Sequence, residues 1–332
     1  MALADAQPTI RRRPLERLAR RLHQYDEVKH AFDFATPIDR SRWYVCPTLT
    51  PLYYAPVYAE LTKLQQRRYN QLTALCFSEL IAFFETTFIP SVLAALAASR
   101  PAASDDLVQC LQHFVMEEQE HTRWWRQLNR LSEPDLYAKS ENAIVRLPAF
   151  GQLLLRQMTK RPNWFSFVFW VMLALEERSL EISRRCIQLP TEEIEPRYLA
   201  IYRTHLSDEV RHVQIDWHLI ERYYAARSAT MREFNARLFR QAIRSFFLPP
   251  TRSAVCVIEH LINECPELKP LSNKIKQQLG EVSTDSGYQQ MMYSRESTPI
   301  TFALFDRFPE MHQMRYVLQS YQPQVGVQHD GC

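Results

Sequence analysis

Apolar side chains recur every three to four residues along four long stretches of the chain, and this spacing predicts four long α-helices. The first stretch covers about 62–97, with a kink expected at Pro90, and the second covers about 105–131. The third covers about 164–188, and the fourth runs from a Thr cap at 191 to about 226. A shorter helix is expected near 142–160. Two or three further helices are expected after about 228, followed by a less regular tail.

The composition strengthens the prediction of an all-α fold. Only 5 of the 332 residues are glycine, which leaves little material for hairpins or nucleotide-binding loops. No internal repeat or linker is visible, so 1–332 is expected to form a single domain. It would contain a basic N-terminal arm (about 1–42), a four-helix core (about 62–226) and C-terminal helices with a tail (about 228–332). Several prolines between 37 and 56 predict an ordered but irregular segment before the first long helix.

Charge gives no reason to expect a nucleic-acid partner, because 40 basic residues nearly balance 37 acidic ones. The exception is the arm, where arginines surround Leu15, Leu18 and Leu22 at helical spacing. This arm suits a solvated helix, and it would also suit an anionic membrane surface or a targeting signal. No apolar run approaches the roughly 20 residues that span a bilayer, so a cytoplasmic protein with no membrane partner is expected.

The cysteines show no CxxC pair and no regular spacing, which indicates reduced thiols, several of them in the core. The seven are Cys46, Cys76, Cys110, Cys186, Cys256, Cys265 and Cys332.

Carboxylates and histidines lie on the apolar sides of the second and fourth helices. Glu118 and His121 share a helix side with several large apolar residues. In "HLSDEVRH", His205, Glu209 and His212 fall within about 60° of one another around the fourth helix. A buried carboxylate with no partner costs several kcal/mol unless it is protonated, paired or bound to a cation. These positions are therefore candidate metal ligands.

The first and third helices each offer two acids. On the first helix Glu85 lies on an apolar face, and Glu79 is its competitor because its neighbours are apolar too. On the third helix Glu176 stacks with apolar residues, whereas Glu177 stacks with Glu181 and arginine on what looks like a solvated side. We therefore select Glu85 and Glu176, with Glu177 as the open alternative.

Together these helices supply one Glu, an ExxH, another Glu and an HxxxExxH. This is the arrangement of di-iron and di-manganese carboxylate bundles. The predicted fold is thus a ferritin-like helical bundle with a four-helix di-metal core and flanking helices. The seven predicted metal ligands are Glu85, Glu118, His121, Glu176, His205, Glu209 and His212.

Other polar residues receive weaker assignments. Asp216 lies one turn beyond His212 and is expected to accept a hydrogen bond from its ring. Four other histidines show no such grouping and are interpreted as structural or surface residues: His30, His113, His218 and His260.

The motifs resemble those of the AurF family of non-heme di-iron N-oxygenases, whose type member is p-aminobenzoate N-oxygenase. The resemblance covers roughly 43–240 and is strongest in "HLSDEVRH", because the histidine one turn before the last ExxH separates this family from ordinary ferritin-like proteins. "FSELIAFFETTF" resembles the first ligand helix, "MEEQEHT" the second and "LALEERS" the third.

The resemblance implies two iron ions, dioxygen as co-substrate and an external electron donor. It also implies a homodimer and a small-molecule amine that is oxidised toward hydroxylamine, nitroso or nitro products, in secondary metabolite biosynthesis. Alternatives are a di-iron hydroxylase or desaturase acting on an amino-acid or acyl substrate, and ferritin-like metal storage. No catalytic residue beyond the metal ligands is predicted.

The substrate pocket is the least defined part of the prediction. Aromatic residues near the metal helices would line either a pocket or plain core: Phe84, Phe88, Trp124, Trp125, Trp164, Phe169 and Trp170. Arg123, Arg178 and Arg211 would either anchor a substrate carboxylate or lie at the surface.

Overall fold

A computed structural model describes residues 12–25, 32–98, 105–145, 149–248 and 252–324. Within these ranges the chain forms helices and no β-strand, with a single bridge between Trp43 and Ile194. The predicted all-α fold is confirmed. The α-helices are α1 (Leu15–Tyr25), α2 (Lys63–Phe83), α3 (Ile89–Ala98), α4 (Asp105–Ser132), α5 (Ala149–Thr159), α6 (Phe167–Ile187), α7 (Pro196–Leu219), α8 (Ala229–Ala242), α9 (Arg252–Glu264), α10 (Ser272–Glu281), α11 (Ser286–Met292) and α12 (Pro299–Arg307).

The four long predicted helices correspond to α2 with α3, α4, α6 and α7. They pack as a bundle in which α6 lies along α7, and α4 contacts both α2 and α7. Two clusters of buried apolar side chains lie within the protein, and polar ligand candidates occupy the bundle between them. Helices that bury an apolar side on three neighbours gain most of their stability from this packing.

The first long helix contains a π-helical turn, Phe84–Phe88, between α2 and α3. Pro90 follows it at the start of α3 and has no backbone N–H with which to continue the regular hydrogen-bonding pattern. The predicted irregularity at Pro90 is therefore present as a widened turn that carries Glu85. Such π turns are frequent at functional sites.

Two helix starts differ from the sequence prediction. The shorter helix expected from about 142 begins at Ala149, because the backbone over 143–145 turns inward to donate hydrogen bonds to the buried Glu79. The fourth long helix has Glu195 as its N-cap, with Pro196 at the first helical position, rather than Thr191. The Glu195 carboxylate accepts hydrogen bonds from the backbone N–H groups of the first turn.

The described part of the N-terminal arm packs on the bundle and forms hydrogen bonds with it. α1 packs on α4, and Leu18 is buried. The backbone N–H of Arg13 donates to Gln214, and the ring of His218 contacts the carbonyl of Arg13. An apolar side of α1 is covered by the core, while Glu16, Arg17 and Arg20 are exposed, so the helix is solvated on its charged side only.

The irregular segment and the C-terminal region are both well packed. As predicted, the proline-rich segment is ordered, in 3₁₀ turns at Pro47–Leu49, Pro51–Tyr54 and Pro56–Glu60. The tail is more regular than predicted, since it includes α12 and a 3₁₀ helix at Pro309–Tyr316. α12 packs on α6 and buries Phe302, so this region belongs to the core.

The continuous helical run Lys63–Leu96 is long and apolar enough to cross a membrane by length and composition, contrary to the expectation that no such run exists. However, 61% of its most apolar window is buried by the rest of the protein. A core helix of a bundle has the same composition, so the run supplies only weak evidence for a span.

Isolated polar residues largely follow the sequence interpretation. Six cysteines are unbridged, four of them buried, whereas Cys332 and His30 lie outside the described residues. His113 and His260 are partly exposed.

Candidate metal centre

The bundle brings all seven predicted ligands into two adjoining groups. One group contains Glu85, His121, His205 and Glu209, and the other contains Glu118, Glu176, Glu209 and His212. Within each group the candidate ligand atoms lie within 4.8 Å of one another. Each of the seven side chains is buried, and Glu209 belongs to both groups. A carboxylate shared in this way can bridge two ions.

Two helices, α4 and α7, and the π turn build the first group. The Nε2 atom of His205 lies 3.0 Å from Glu209 Oε1 and 3.3 Å from Glu85 Oε1. The Nδ1 atom of His121 lies 3.7 Å from each of the same two oxygens. Adjacent ligands about 2.1 Å from one octahedral ion are roughly 3 Å apart, so small adjustments of these side chains would enclose a cation.

The second group is richer in carboxylates. The Nδ1 atom of His212 lies 3.0 Å from Glu118 Oε1, 3.5 Å from Glu209 Oε2 and 3.6 Å from Glu176 Oε2. Three acids thus converge on one imidazole nitrogen in a region with no exposed surface at Glu118 or His212. The arrangement offers three oxygen ligands and one nitrogen ligand to a second cation.

Unsatisfied polar atoms test whether this site fits a metal. Among the described residues, both carboxylate oxygens of Glu118 and of Glu209 are buried without a hydrogen-bond partner, as are the Nδ1 atoms of His121 and His212. Buried polar atoms are almost always satisfied in folded proteins. Six such atoms cluster in the two groups, which is the pattern expected when cations complete the site, whereas others, such as those of Asp216, lie outside the groups.

The pKa values of the acids show that ionising all of them without a cation is unfavourable. Burial, together with Glu176 and Glu85, raises the pKa of Glu118 to about 8. Burial tends to raise the pKa of Glu85, but the neighbouring imidazoles of His121 and His205 outweigh burial and hold this pKa at about 2. Burial and Glu176 raise the pKa of Glu209 well above its ordinary value. The four carboxylates therefore cannot all remain ionised at neutral pH unless positive charge is supplied.

Each histidine has a second partner that orients its ring. Asp208 lies 3.0 Å from His121 Nε2, and Glu117 lies 2.9 Å from His212 Nε2. The hydroxyl of Ser179 lies 3.3 Å from His205 Nδ1. A partner on the far nitrogen fixes the tautomer and leaves the near nitrogen free to bind a metal. None of these three partners was predicted from the sequence.

Arg211 connects two of these partners. Its Nη2 atom donates to Asp208 at 2.7 Å and also to Glu117. The side chain is buried, so the interpretation of Arg211 as a surface charge is wrong, and its role as a substrate anchor stays a prediction. One guanidinium holds the acids that orient His121 and His212, one histidine from each group.

Asp216 does not orient His212 as predicted, because Glu117 takes that position. Asp216 is fully buried, and neither of its oxygens has a hydrogen-bond partner among the described residues. Burial and the nearby Glu176 raise the pKa of Asp216 well above its ordinary value.

The competing acids of the first and third helices have structural partners. Glu79 accepts hydrogen bonds from the Tyr137 hydroxyl at 2.7 Å and from the backbone of 143–145. Glu177 accepts from the backbone N–H groups of Ile300 at 2.6 Å and Thr301 at 2.8 Å, at the start of α12. The interpretation of Glu177 as solvated is therefore wrong, since α12 covers it. Both acids lie outside the two ligand groups.

The expected pocket residues divide into two kinds. Trp124 and Trp125 lie beside the ligands, with ring centroids 5.3 Å from His121 and 5.8 Å from His205. Phe114, which the sequence did not single out, stacks on His212 at 3.9 Å. By contrast, Trp170 packs against the aromatic core of the C-terminal region.

The other four aromatic residues lie in the apolar core, against it or at the surface. Phe88 and Phe169 are buried in the apolar core, Phe84 packs against it, and Trp164 is 66% exposed.

The other two arginines show no anchoring position. Arg178 is buried and donates to the carbonyl of Met291 at 2.6 Å. Arg123 is exposed and pairs with Glu120.

Comparison with known proteins gives one family. The family model described as P-aminobenzoate N-oxygenase AurF matches residues 9–301, a range that includes all seven predicted ligands. No curated protein matches the chain. Because the family match covers most of the 332 residues, the protein belongs to the AurF family of p-aminobenzoate N-oxygenases and is an oxidoreductase.

Proposed function

We propose that the protein is a non-heme di-iron monooxygenase that uses dioxygen to oxidise the nitrogen of a small amine, in biosynthesis of a secondary metabolite. The observation that carries the proposal is the set of unpartnered donor atoms in the two groups, in a chain of an N-oxygenase family. The expected products are the hydroxylamine, nitroso or nitro derivatives of the amine.

In this proposal each group holds one ion. Glu85, His121 and His205 would hold the first ion, Glu118, Glu176 and His212 would hold the second, and Glu209 would be shared by both sets. The bound ions would supply the redox chemistry that activates dioxygen, with electrons from an external donor. The protein positions the ligands on rigid helices and excludes water, since every ligand side chain is buried.

Charge balance supports two ions rather than one. The four ligand carboxylates carry four negative charges when ionised, and the histidines are neutral when they bind a metal. Two divalent cations neutralise this set, whereas a single cation would leave net negative charge in a buried site. An uncompensated buried charge is strongly destabilising.

The ligand types favour iron or manganese. Four carboxylates and three imidazoles form a set of oxygen and nitrogen donors without a thiolate. Structural zinc sites are usually closed tetrahedra of cysteine and histidine. The AurF family match then favours iron over manganese.

The proposal includes a homodimer in the cytoplasm, as expected from the sequence. Size-exclusion chromatography with light scattering would test the assembly. A mass of one chain would exclude the dimer without affecting the metal site.

Product analysis tests the reaction. The iron-loaded protein would be supplied with a chemical reductant, dioxygen and a panel of small arylamines and aliphatic amines, and products would be identified by mass spectrometry with ¹⁸O-labelled dioxygen. The proposal expects labelled oxygen bound to nitrogen. Label only at carbon, or desaturated product, would favour the alternative hydroxylase or desaturase. Iron uptake with no oxidised product from any class would favour metal storage.

A further inference from the structure

Thr122 follows the ligand His121 on α4 and contacts a second predicted ligand. Its hydroxyl donates a hydrogen bond to Glu85 Oε2 at 3.0 Å. Both side chains are buried, Thr122 at 3% and Glu85 at 4% exposure. The hydroxyl therefore has no competition from bulk water for this oxygen.

The two oxygens of Glu85 contact different neighbours. Oε1 lies 3.3 Å from His205 Nε2 and 3.7 Å from His121 Nδ1, on the side of the ligand atoms. Oε2 is the oxygen that Thr122 holds. One oxygen is thus directed toward the metal position, and the other is held by a hydroxyl of the neighbouring helix.

We propose that Thr122 is a positioning residue that holds Glu85 as a ligand through Oε1 alone. A carboxylate that binds through one oxygen occupies one coordination position, whereas one that binds through both occupies two. Thr122 would thereby leave a position for an exogenous ligand on the ion bound by His121 and His205. This inference rests on the metal site proposed above.

Two features of the surroundings support such a restraint. Glu85 lies on the π turn Phe84–Phe88, which replaces regular α-helical hydrogen bonding at this point. Glu209, the other carboxylate of the same group, has no hydrogen-bond partner at either oxygen. Of the two carboxylates in this group, Glu85 therefore has a hydroxyl partner and Glu209 does not.

A purely structural role makes a different prediction. If the hydroxyl only satisfied a buried oxygen, its loss would lower the free energy of unfolding without changing ligand binding at the metal. If the hydroxyl holds Glu85 in the one-oxygen mode, its loss would let Oε2 turn toward the metal and compete with an added ligand. Binding of a small anion separates these cases.

The experiment measures azide affinity of iron-loaded wild type, Thr122→Val and Thr122→Ser by optical titration. Valine keeps the size of the side chain and removes the hydroxyl, whereas serine keeps the hydroxyl. A hydrogen bond to a charged group contributes enough to shift an equilibrium roughly ten- to hundredfold. We expect azide to bind weaker by about that factor in Thr122→Val and within roughly twofold of wild type in Thr122→Ser.

Thr73→Val is the matched control. Thr73 is a buried threonine of α2 whose hydroxyl donates to the carbonyl of Tyr69 at 2.8 Å, so its azide affinity should equal that of wild type. Iron content and thermal unfolding are measured for every variant. If Thr122→Val does not fold, Thr122→Ala provides the same loss of the hydroxyl.

Several results would overturn the inference. Wild-type azide affinity in Thr122→Val would show that the hydroxyl does not set the binding mode, while leaving the metal site intact. Weakened binding in Thr122→Ser or Thr73→Val would show that packing is responsible. Loss of iron from Thr122→Val would make Thr122 a determinant of metal retention instead. A wild-type protein that takes up no iron would contradict both this inference and the proposed function.

Discussion

Two sets of buried carboxylates occupy this protein, and they differ in what surrounds them. Glu79, Glu177 and Glu195 lie against loops and helix starts, where backbone N–H groups donate to their oxygens. Glu118 and Glu209 lie at the centre of the bundle, and no hydrogen-bond donor satisfies either of their oxygens. Both sets are almost fully buried, so burial alone does not distinguish them.

The difference separates acids whose oxygens are satisfied by hydrogen bonds within the fold from acids whose oxygens are not. A carboxylate that accepts several backbone hydrogen bonds ties distant segments together and needs nothing more. A buried carboxylate without a donor is unfavourable in the folded protein unless it is protonated or bound to a cation. We therefore propose a structural role for the first set and metal binding for the second.

The largest effect is expected from Glu118→Gln, with Glu177→Gln as its matched control. Loss of the Glu118 charge should release at least one metal per chain. It should lower turnover by more than the roughly 10- to 100-fold that is typical for loss of a residue that orients a metal ligand. Glu177→Gln should retain both metals, because this acid caps α12. Metal analysis by mass spectrometry and oxygen-dependent turnover would check both variants. Equal metal content in the two would remove the distinction between the sets.

The next largest effect is expected on stability. Glu79→Ala leaves the Tyr137 hydroxyl and the backbone of 143–145 without their acceptor. Four donors lose their acceptor, and each unsatisfied buried donor costs about 1–3 kcal/mol, so we expect a loss of at least about 4 kcal/mol in the free energy of unfolding. Urea denaturation of the metal-loaded protein would measure it. A variant that keeps its stability but loses metal would show that Glu79 belongs with the metal-binding acids instead.

Arg211→Gln should weaken metal binding at both positions. The guanidinium holds Asp208 and Glu117, which orient one histidine in each group. Loss of such outer partners typically lowers metal affinity roughly 10- to 100-fold. Competition with a chelator would measure the change, with Arg123→Gln on the surface as control. Weakening at one position only would show that the two histidines are oriented independently.

The smallest effect is a release of protons on metal binding. In the metal-free protein burial raises the pKa of Glu118 from 4.5 to about 8, so at pH 7 the folded state holds a proton that the unfolded state does not. The protonated acid therefore favours the metal-free fold at low pH, and this contribution is lost as pH rises from 4.5 through 8.

Metal binding should displace that proton, and a pH indicator in weak buffer would detect it. We expect greater release at pH 6.5 than at pH 9. Release that does not depend on pH would show that Glu118 is ionised before metal binds.

Sequence periodicity predicted the four long helices and the residues that lie on their inward sides. His205, Glu209 and His212 share one side of one helix, and that relation depends only on local geometry. The same reasoning selected Glu176 over Glu177. Whether each of these residues binds metal stays a prediction until metal is measured.

Contacts between distant segments could not be predicted in this way. Asp208 reaches His121 across 87 positions of the chain, and Thr122 reaches Glu85 across 37. Glu177 was assigned to solvent because its helix neighbours are charged, whereas the residues that cover it come from α12. A single sequence shows which side of a helix a residue lies on but not which element covers that side.

The central claim is that the unsatisfied acids and histidines of the bundle hold two iron ions. The most direct test is the metal content of the wild-type protein after anaerobic loading with iron(II) and removal of unbound metal. The account predicts about two irons per chain, one for each group of ligands. Less than one iron per chain, or a single tightly held zinc, would contradict it.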